Sequence, residues 1–165
     1  MIDYTYIQTT DLGSALMQLF SIVTLLRSKD GCPWDREQDS KSVATSLLDE
    51  TYEYLDAVLS GNKEDQKEEI GDVALNVMML MEIHQESDDF SLVDAINDVC
   101  KKLIRRHPHV FGDAQAANSV EVLDLWNKIK TEVEGKTALE DDFFSRIPSS
   151  LPPLEMANEI QKKIR

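Results

Sequence analysis

Two pairs of acidic residues near the middle of the chain have the spacing of metal ligands. Glu50 and Glu53 are three residues apart, as are Glu69 and Asp72, and Asp49 lies beside the first pair. Residues three or four apart share one face of a helix. Carboxylate oxygens are the ligands that Mg²⁺ and Mn²⁺ prefer. If the two segments are facing helices, four carboxylates meet in one place, as in the metal sites of helical bundles.

An ordinary solvated helix face is the alternative interpretation of such a pattern. The first segment fits it when taken alone, because its acids lie opposite one apolar face formed by Ala44, Leu47, Leu48, Tyr52, Leu55, Val58 and Leu59. The second segment is apolar on two nearly opposite faces, which predicts a buried helix. Its acids, Glu69 and Asp72, should therefore point towards a packed neighbour. Buried carboxylates are costly unless they are paired or bind a metal, and this favours a metal site.

The elements that must hold these residues are helices. Helical periodicity dominates the chain and no segment shows the strict alternation of a strand, so the sequence predicts an all-α fold. Glycine and proline separate about five helices, which we expect at residues 12–28, 42–59, 63–85, 91–106 and 119–135. We expect one helical domain at residues 1–135. We expect residues 136–165 to form a linker and the start of a C-terminal helical segment.

Composition narrows the classes of partner. The chain has 165 residues, with 17 basic and 31 acidic side chains, for a net charge of −14. Such a charge argues against binding to polymeric nucleic acid or to an anionic membrane. No apolar run approaches the ~20 residues of a membrane span, and the N-terminus has no basic region of a secretory signal. We expect Cys32 and Cys100 to be reduced thiols of a cytoplasmic protein.

A few basic and aromatic residues have positions suited to an anion. Lys102 and Arg106, four residues apart, border the apolar stripe of the fourth helix, and Trp126 and Lys130 share the inward face of the fifth. An indole can stack on a base and an ammonium can neutralise a phosphate. Snorkelling for the two basic residues and simple core packing for Trp126 remain the alternatives. We expect the histidines that flank Pro108 to have a loop-structural role.

At this point the residues resemble a known family. The segment Asp49-Glu50-Thr51-Tyr52-Glu53, followed by Glu69-Ile70-Gly71-Asp72, resembles the ExxE…ExxD signature of the MazG nucleoside triphosphate pyrophosphohydrolases. Further blocks match in the same order, namely Gly-Cys-Pro-Trp-Asp at 31–35, Arg-Arg-His-Pro-His-Val-Phe at 105–111 and Trp-Asn-Lys-Ile-Lys at 126–130. The resemblance covers about residues 16–134, and residues 147–152 fit as well. One departure is Asp49, where the family usually has glutamate.

The resemblance implies an all-α MazG-like fold and the hydrolysis of a nucleoside triphosphate to the monophosphate and pyrophosphate. It implies that Mg²⁺, or Mn²⁺ in its place, is held by Glu50, Glu53, Glu69 and Asp72. Catalytic roles fall on Asp49, Glu50 and Glu53, one of which accepts the proton of the attacking water. Substrate contacts fall on Lys102, Arg106, Trp126 and Lys130. Family members commonly form dimers, so we expect a homodimer.

Two other functions stay open on the sequence alone. One is a catalytically silent domain of a tandem protein, kept for dimerisation or regulation. The linker, the helix without a C-cap at the end of the chain and the shorter side chain of Asp49 favour it. The other is an acidic helical interaction module with no nucleotide role. Pyrophosphate release and metal-dependent nucleotide binding distinguish these functions from the enzyme.

Overall fold

The structure is a computed structural model, which describes residues 2–133 and 147–164. Within these ranges the chain is helical and contains no strand. The helices are α1 (Leu12–Arg27), α2 (Pro33–Glu37), α3 (Ser40–Ser60), α4 (Lys63–Glu86), α5 (Leu92–Arg106), α6 (Pro108–Phe111), α7 (Ser119–Glu132) and α8 (Pro153–Ile164). None of them has the length and apolar character needed to cross a bilayer. The chain forms two compact units, Met1–Asp98 and Val99–Arg165, which are described separately.

The sequence predicts the long helices well and misses two short ones. The predicted segments correspond to α1, α3, α4, α5 and α7, with ends that differ by up to about two residues for the first four. We expected turns or loops where α2 and α6 lie, and this was wrong. Each begins with proline at its first helical position, where the missing N–H costs nothing and the ring fixes a helical φ. The predicted end of α7 at Gly135 and the domain boundary there lie outside the described residues.

A tight turn joins α3 to α4. Gly61 adopts the left-handed conformation, with φ of 76°, and its N–H donates to the carbonyl of Val58 at 3.2 Å. Glycine adopts this conformation without the steric cost of a Cβ. The side chain of Asn62 then accepts from the backbone N–H of Glu64 at 3.1 Å and caps α4. The chain thus reverses within two residues, so α3 and α4 pack side by side as an antiparallel hairpin.

The core of the first unit lies where α1 and the hairpin meet. Val23 of α1 is fully buried, and Val43 of α3 and Met79 and Ile83 of α4 are nearly so. Leu75, Met78 and Leu80 pack against this cluster. Because α4 supplies most of these side chains, it is the central helix of the unit, as its two apolar faces predicted.

The face with which α3 packs differs from the expectation. Its residues nearest α4 include the buried Val43 and Ala57 and the half-buried Glu50. The apolar stripe lies about half a turn away and remains 46–76% exposed, at Leu48, Tyr52, Leu55 and Leu59. Two small apolar residues on the acidic side, Val43 and Ala57, make the contact with α4, so the larger apolar stripe does not by itself say which side meets the neighbour. The hairpin thus turns Glu50 towards α4, leaves Asp49 and Glu53 exposed beside it, and leaves the apolar stripe outward.

Candidate metal centre

Three carboxylates from the hairpin come together. Glu50 of α3 and Glu69 and Asp72 of α4 each offer an oxygen, and these oxygens all lie within 4.8 Å of one another. The turn sets this register, because Glu50 precedes Gly61 by eleven residues and Asp72 follows it by eleven. In an antiparallel hairpin, equal separations place residues at the same level, here about 16 Å from the turn at 1.5 Å per residue. We call these three residues the carboxylate trio.

Burial and nearby negative charge perturb the two glutamates of the trio. Burial raises the pKa of Glu50 above its usual value, and the charges of Asp72 and Glu53 raise it further. Asp49 adds to this effect, whereas a hydrogen bond with Glu69 opposes it. Burial also raises the pKa of Glu69, followed by the charges of Glu53 and Glu50. Glu50 and Glu69 therefore hold protons more tightly than isolated glutamates, an electrostatic cost that a bound cation would relieve.

The trio fits a small hard cation. Mg²⁺ binds oxygen atoms in an octahedron at about 2.0–2.1 Å, so opposite ligands lie about 4.2 Å apart. The spread of up to 4.8 Å in the trio requires only small side-chain rotations to reach that geometry. The donors are all carboxylates, which suits Mg²⁺ or Mn²⁺ better than a soft metal. These residues could hold such an ion without rearrangement of the helices.

Glu53 and Asp49 lie beside the trio but not within it. Both side chains are exposed. Glu53 and Glu69 line an open cavity of about 340 Å³ together with Asp56 and Asp65. Glu53 precedes Gly61 by eight residues and Glu69 follows it by eight. The two residues therefore lie at the same level of the hairpin and line the same cavity. The roles predicted for Asp49 and Glu53 stay predictions.

A pocket adjoins the trio on the side of α2. It has a volume of about 200 Å³, and Glu50 forms part of its wall. Trp34, Asp35 and Gln38 supply the wall from α2 and the residue after it, and Asn76 supplies part of the wall from α4. Further lining residues are Leu26, Val43, Ser46, Leu75 and Met79. The pocket is thus mostly apolar, with a few polar groups and one carboxylate of the trio at its edge.

Two residues of this pocket have contacts that bear on the site. The side chain of Trp34 is 63% exposed and forms a wall of the pocket. Nδ2 of Asn76 donates to the backbone carbonyl of Asp72 at 3.0 Å. Only a proline at the first position of α2 signals that the segment is a helix able to present Trp34 in this way.

The predicted substrate-binding residues all belong to the second unit. Arg106 is 8% exposed, and its guanidinium carbon lies 5.1 Å from the centre of the Trp126 ring. The edge of the His107 ring meets the same indole at 5.0 Å between centroids. Lys102 and Lys130 are half-buried. Arg106 and Trp126 are therefore neighbours within this unit, and the substrate contacts assigned to these four residues stay predictions.

Comparisons with known proteins point to one family. Residues 38–111 match the family model described as the MazG nucleotide pyrophosphohydrolase domain, a segment that contains the whole trio. The chain is 42% identical over 147 residues to a protein of Escherichia coli (strain K12) named nucleoside triphosphate pyrophosphohydrolase, covering 88% of this chain and 56% of the relative. It is 38% identical over 152 residues to the nucleoside triphosphate pyrophosphohydrolase/pyrophosphatase MazG of Thermotoga maritima, covering 92% and 57%.

A solved structure shares the fold. The crystal structure of a mazG-related protein from Thermotoga maritima superposes with a TM-score of 0.61 at 24% identity, covering 72% of this chain and 98% of that one. This likeness supports the all-helical architecture. The chain itself spans a little more than half the length of the curated relatives named above.

Proposed function

We propose that the protein hydrolyses nucleoside triphosphates to nucleoside monophosphates and pyrophosphate, because residues 38–111 match the family model of the MazG nucleotide pyrophosphohydrolase domain. The observation that carries the proposal is the carboxylate trio, whose oxygens lie within 4.8 Å of one another inside the matched segment. The names of the relatives from Escherichia coli and Thermotoga maritima support the same activity. A net charge of −14 would repel a triphosphate unless cations intervene, and the trio is where a cation fits.

We propose Mg²⁺ as the cofactor, with Mn²⁺ able to replace it. Glu50, Glu69 and Asp72 would hold the ion, and Glu53, which lines one cavity with Glu69, would join them. A divalent ion bound there would neutralise phosphate charge and make a bound water more acidic. Asp49 or Glu53 would accept the proton of that water at a carboxylate oxygen. Lys102, Arg106, Trp126 and Lys130 remain the predicted substrate contacts.

We further propose that the nucleobase enters the pocket beside Glu50. The pocket volume of about 200 Å³ equals roughly seven water molecules, enough for a planar ring system. Trp34 offers an aromatic face, and Gln38 and Asn76 bring polar groups to the same space. Because Glu50 belongs to both the pocket wall and the trio, a base in the pocket would leave the phosphates close to the carboxylates.

The protein should act as a homodimer through the apolar stripe of α3. Leu48, Tyr52, Leu55 and Leu59 recur at intervals of three or four residues and expose much of their surface. Such a stripe is the pattern with which helices pack against one another. It lies on the side of α3 away from α4, so a second copy can cover it without displacing the trio. We assign the protein to the cytoplasm, where nucleoside triphosphates are abundant and thiols such as Cys32 stay reduced.

The test is pyrophosphate release from ATP, GTP, CTP, UTP and the four deoxynucleotides in the presence of Mg²⁺. Glu69→Gln should lower the turnover of the best substrate at least about a hundredfold, since even the partners of metal ligands contribute tenfold to a hundredfold. Glu64→Gln is the matched control on α4, because its side chain is 86% exposed and lies outside the trio. Turnover of Glu64→Gln should stay within about twofold of the wild type.

Three outcomes would contradict the proposal in different ways. Release of inorganic phosphate in place of pyrophosphate would show a different reaction. Absence of turnover with every nucleotide, combined with Mg²⁺-dependent nucleotide binding in calorimetry, would favour a silent or regulatory domain. Absence of both turnover and metal-dependent binding would favour an interaction module without a nucleotide role.

A further inference from the structure

Arg27, at the C-terminal end of α1, is buried and uses both sides of its guanidinium. Its side chain is only 5% exposed. Nε and Nη2 donate to the two carboxylate oxygens of Glu86 at 2.9 and 2.7 Å. Nη1 donates to the backbone carbonyls of Asp35 at 2.5 Å and Gln38 at 3.2 Å. One side of the fork thus holds α4, and the other side holds the end of α2.

The end of α2 needs such a partner. The last carbonyls of a helix lack the full set of backbone partners, and the carbonyl of Asp35 has only a long backbone hydrogen bond, from the N–H of Gln38 at 3.3 Å. A cation at a helix C-terminus also interacts favourably with the helix dipole. Gln38 contributes from within the segment, because its Nε2 donates to the carbonyl of Trp34 at 3.1 Å. α2 has five residues, none of them buried, so no hydrophobic side chain of its own anchors it in the core.

The start of α2 is fixed in a different way. Gly31 and Cys32 fold back on the end of α1, where the N–H of Cys32 donates to the carbonyl of Leu26 at 2.7 Å. A Cβ on Gly31 would clash with the same carbonyl oxygen, so the contact requires glycine. With its start pressed against α1, the direction of α2 depends on where its other end is held, and Arg27 holds that end.

This direction matters because α2 forms one wall of the pocket beside the trio. Trp34, Asp35 and Gln38 line that pocket opposite Glu50 and Asn76. Trp34 is 63% exposed, so packing alone does not fix its ring. We propose that Arg27 is a positioning residue that holds α2, and with it Trp34, at the correct distance from Glu50 for a nucleoside triphosphate. The expected change in KM rests on the proposed function, whereas the expected change in the mobility of Trp34 does not.

The experiment separates the two sides of the fork. Arg27→Lys keeps the charge beside Glu86 but has one ammonium in place of the planar fork, so it cannot serve both helices at once. Glu86→Gln is the matched control, because it weakens the contact with α4 and leaves Nη1 with its two carbonyls. With the best substrate of the nucleotide panel, Arg27→Lys should raise KM about tenfold and change kcat by less than threefold. Glu86→Gln should leave KM within about twofold.

Two further measurements do not depend on turnover. The chain has two tryptophans, so a Trp126→Phe background reports Trp34 fluorescence alone. In that background, Arg27→Lys should lower the anisotropy of Trp34 and increase its quenching by acrylamide, whereas Glu86→Gln should change neither. The affinity of the trio for Mn²⁺, measured by titration calorimetry, should stay within about twofold in Arg27→Lys, because the trio belongs to the α3–α4 hairpin.

The outcomes decide between positioning and general stability. If Arg27→Lys leaves Trp34 anisotropy unchanged, or if Glu86→Gln alters KM and anisotropy equally, the proposal is overturned. A parallel loss of Mn²⁺ affinity would also overturn it, since Arg27 would then support the whole unit. If no nucleotide is turned over, the proposed function fails, and the anisotropy still decides whether Arg27 holds α2. If Arg27→Lys does not fold, Arg27→Met combined with Glu82→Gln and Glu86→Gln removes the stranded charges and takes its place in every measurement.

Discussion

The exposed apolar stripe of α3 allows a quantitative test of the proposed dimer. Leu48 is 56% exposed and Leu55 is 48% exposed, and both lie on the side of α3 away from the trio. We consider the double variant Leu48→Ala/Leu55→Ala. Each truncation removes three carbon atoms from the stripe and introduces no charge, so any effect on association reflects the loss of apolar surface.

The magnitude follows from the exposed fractions. Complete burial of three carbons is worth about 2.4 kcal/mol, at ~0.8 kcal/mol for each CH₂. Scaling by the exposed fractions leaves about 1.3 kcal/mol for Leu48 and about 1.2 kcal/mol for Leu55 that only association can bury. Each residue occurs twice in a symmetric dimer, so the total is about 5 kcal/mol. Since about 1.4 kcal/mol is a factor of ten, the dimer dissociation constant should rise by roughly three to four orders of magnitude.

Sedimentation equilibrium over a range of protein concentrations measures this constant directly. Leu12→Ala is the matched control, because Leu12 is 73% exposed on α1 and lies outside the stripe. It should leave the constant within about threefold, and far-ultraviolet circular dichroism should show that all variants remain folded. A monomeric wild type at high micromolar concentration would refute the interface. So would a double variant that dimerises as tightly as the wild type.

Three further predictions concern charge and backbone conformation. Glu82 is 5% exposed, its Oε2 has no hydrogen-bond partner among the described residues, and burial raises its pKa. Glu82→Gln should therefore raise the free energy of unfolding by about 1 kcal/mol at pH 7.5. Urea unfolding should show that this gain vanishes near pH 4.5. The raised pKa values of Glu50 and Glu69 mean that the metal-free fold binds protons more tightly than the unfolded chain, so its stability should increase as the pH falls from neutral towards 4.5. Over the same range, calorimetry should show a falling affinity for Mn²⁺, and a pH-independent affinity would exclude these carboxylates as ligands. Gly61→Ala should lower the free energy of unfolding by about 1 kcal/mol, because a Cβ is strained at a φ of 76°. No atom lies within 4 Å of the added Cβ, so steric overlap adds nothing to this loss. Thermal unfolding should show a smaller loss for Gly61→Asn.

The sequence predicted the parts of this molecule that depend on local spacing. The Gly61-Asn62 pair identified the turn, and the acidic pairs on either side of it identified the carboxylates that meet. Three of the four paired acids meet, and Glu53 lies beside them. Both predictions rest on short-range rules, since a left-handed position favours glycine and residues three apart share a helix face. The convergence of Glu50, Glu69 and Asp72 needed only the further assumption that the two helices pack as neighbours.

The features that the sequence did not predict depend on contacts between distant segments. Nothing within α3 distinguishes the stripe of Leu48 and Tyr52 from a core-facing surface, because both sides of the helix carry apolar residues. In the sequence, Arg27 is an ordinary basic residue at a helix end. Its burial depends on the contact with Glu86, which is fifty-nine residues away. The exposure of Trp34 depends in turn on α2, which the sequence analysis treated as a turn.

The α3–α4 hairpin also has a consequence for the order of folding. Glu50 and Asp72 are twenty-two residues apart, whereas the contact of Arg27 with Glu86 spans fifty-nine. Short loops cost less entropy to close and local contacts form early, so the hairpin should form before α1 docks. The chain therefore meets the repulsion among its carboxylates at its first tertiary step, when few other contacts oppose it. We expect a divalent ion to accelerate folding as well as to stabilise the folded protein.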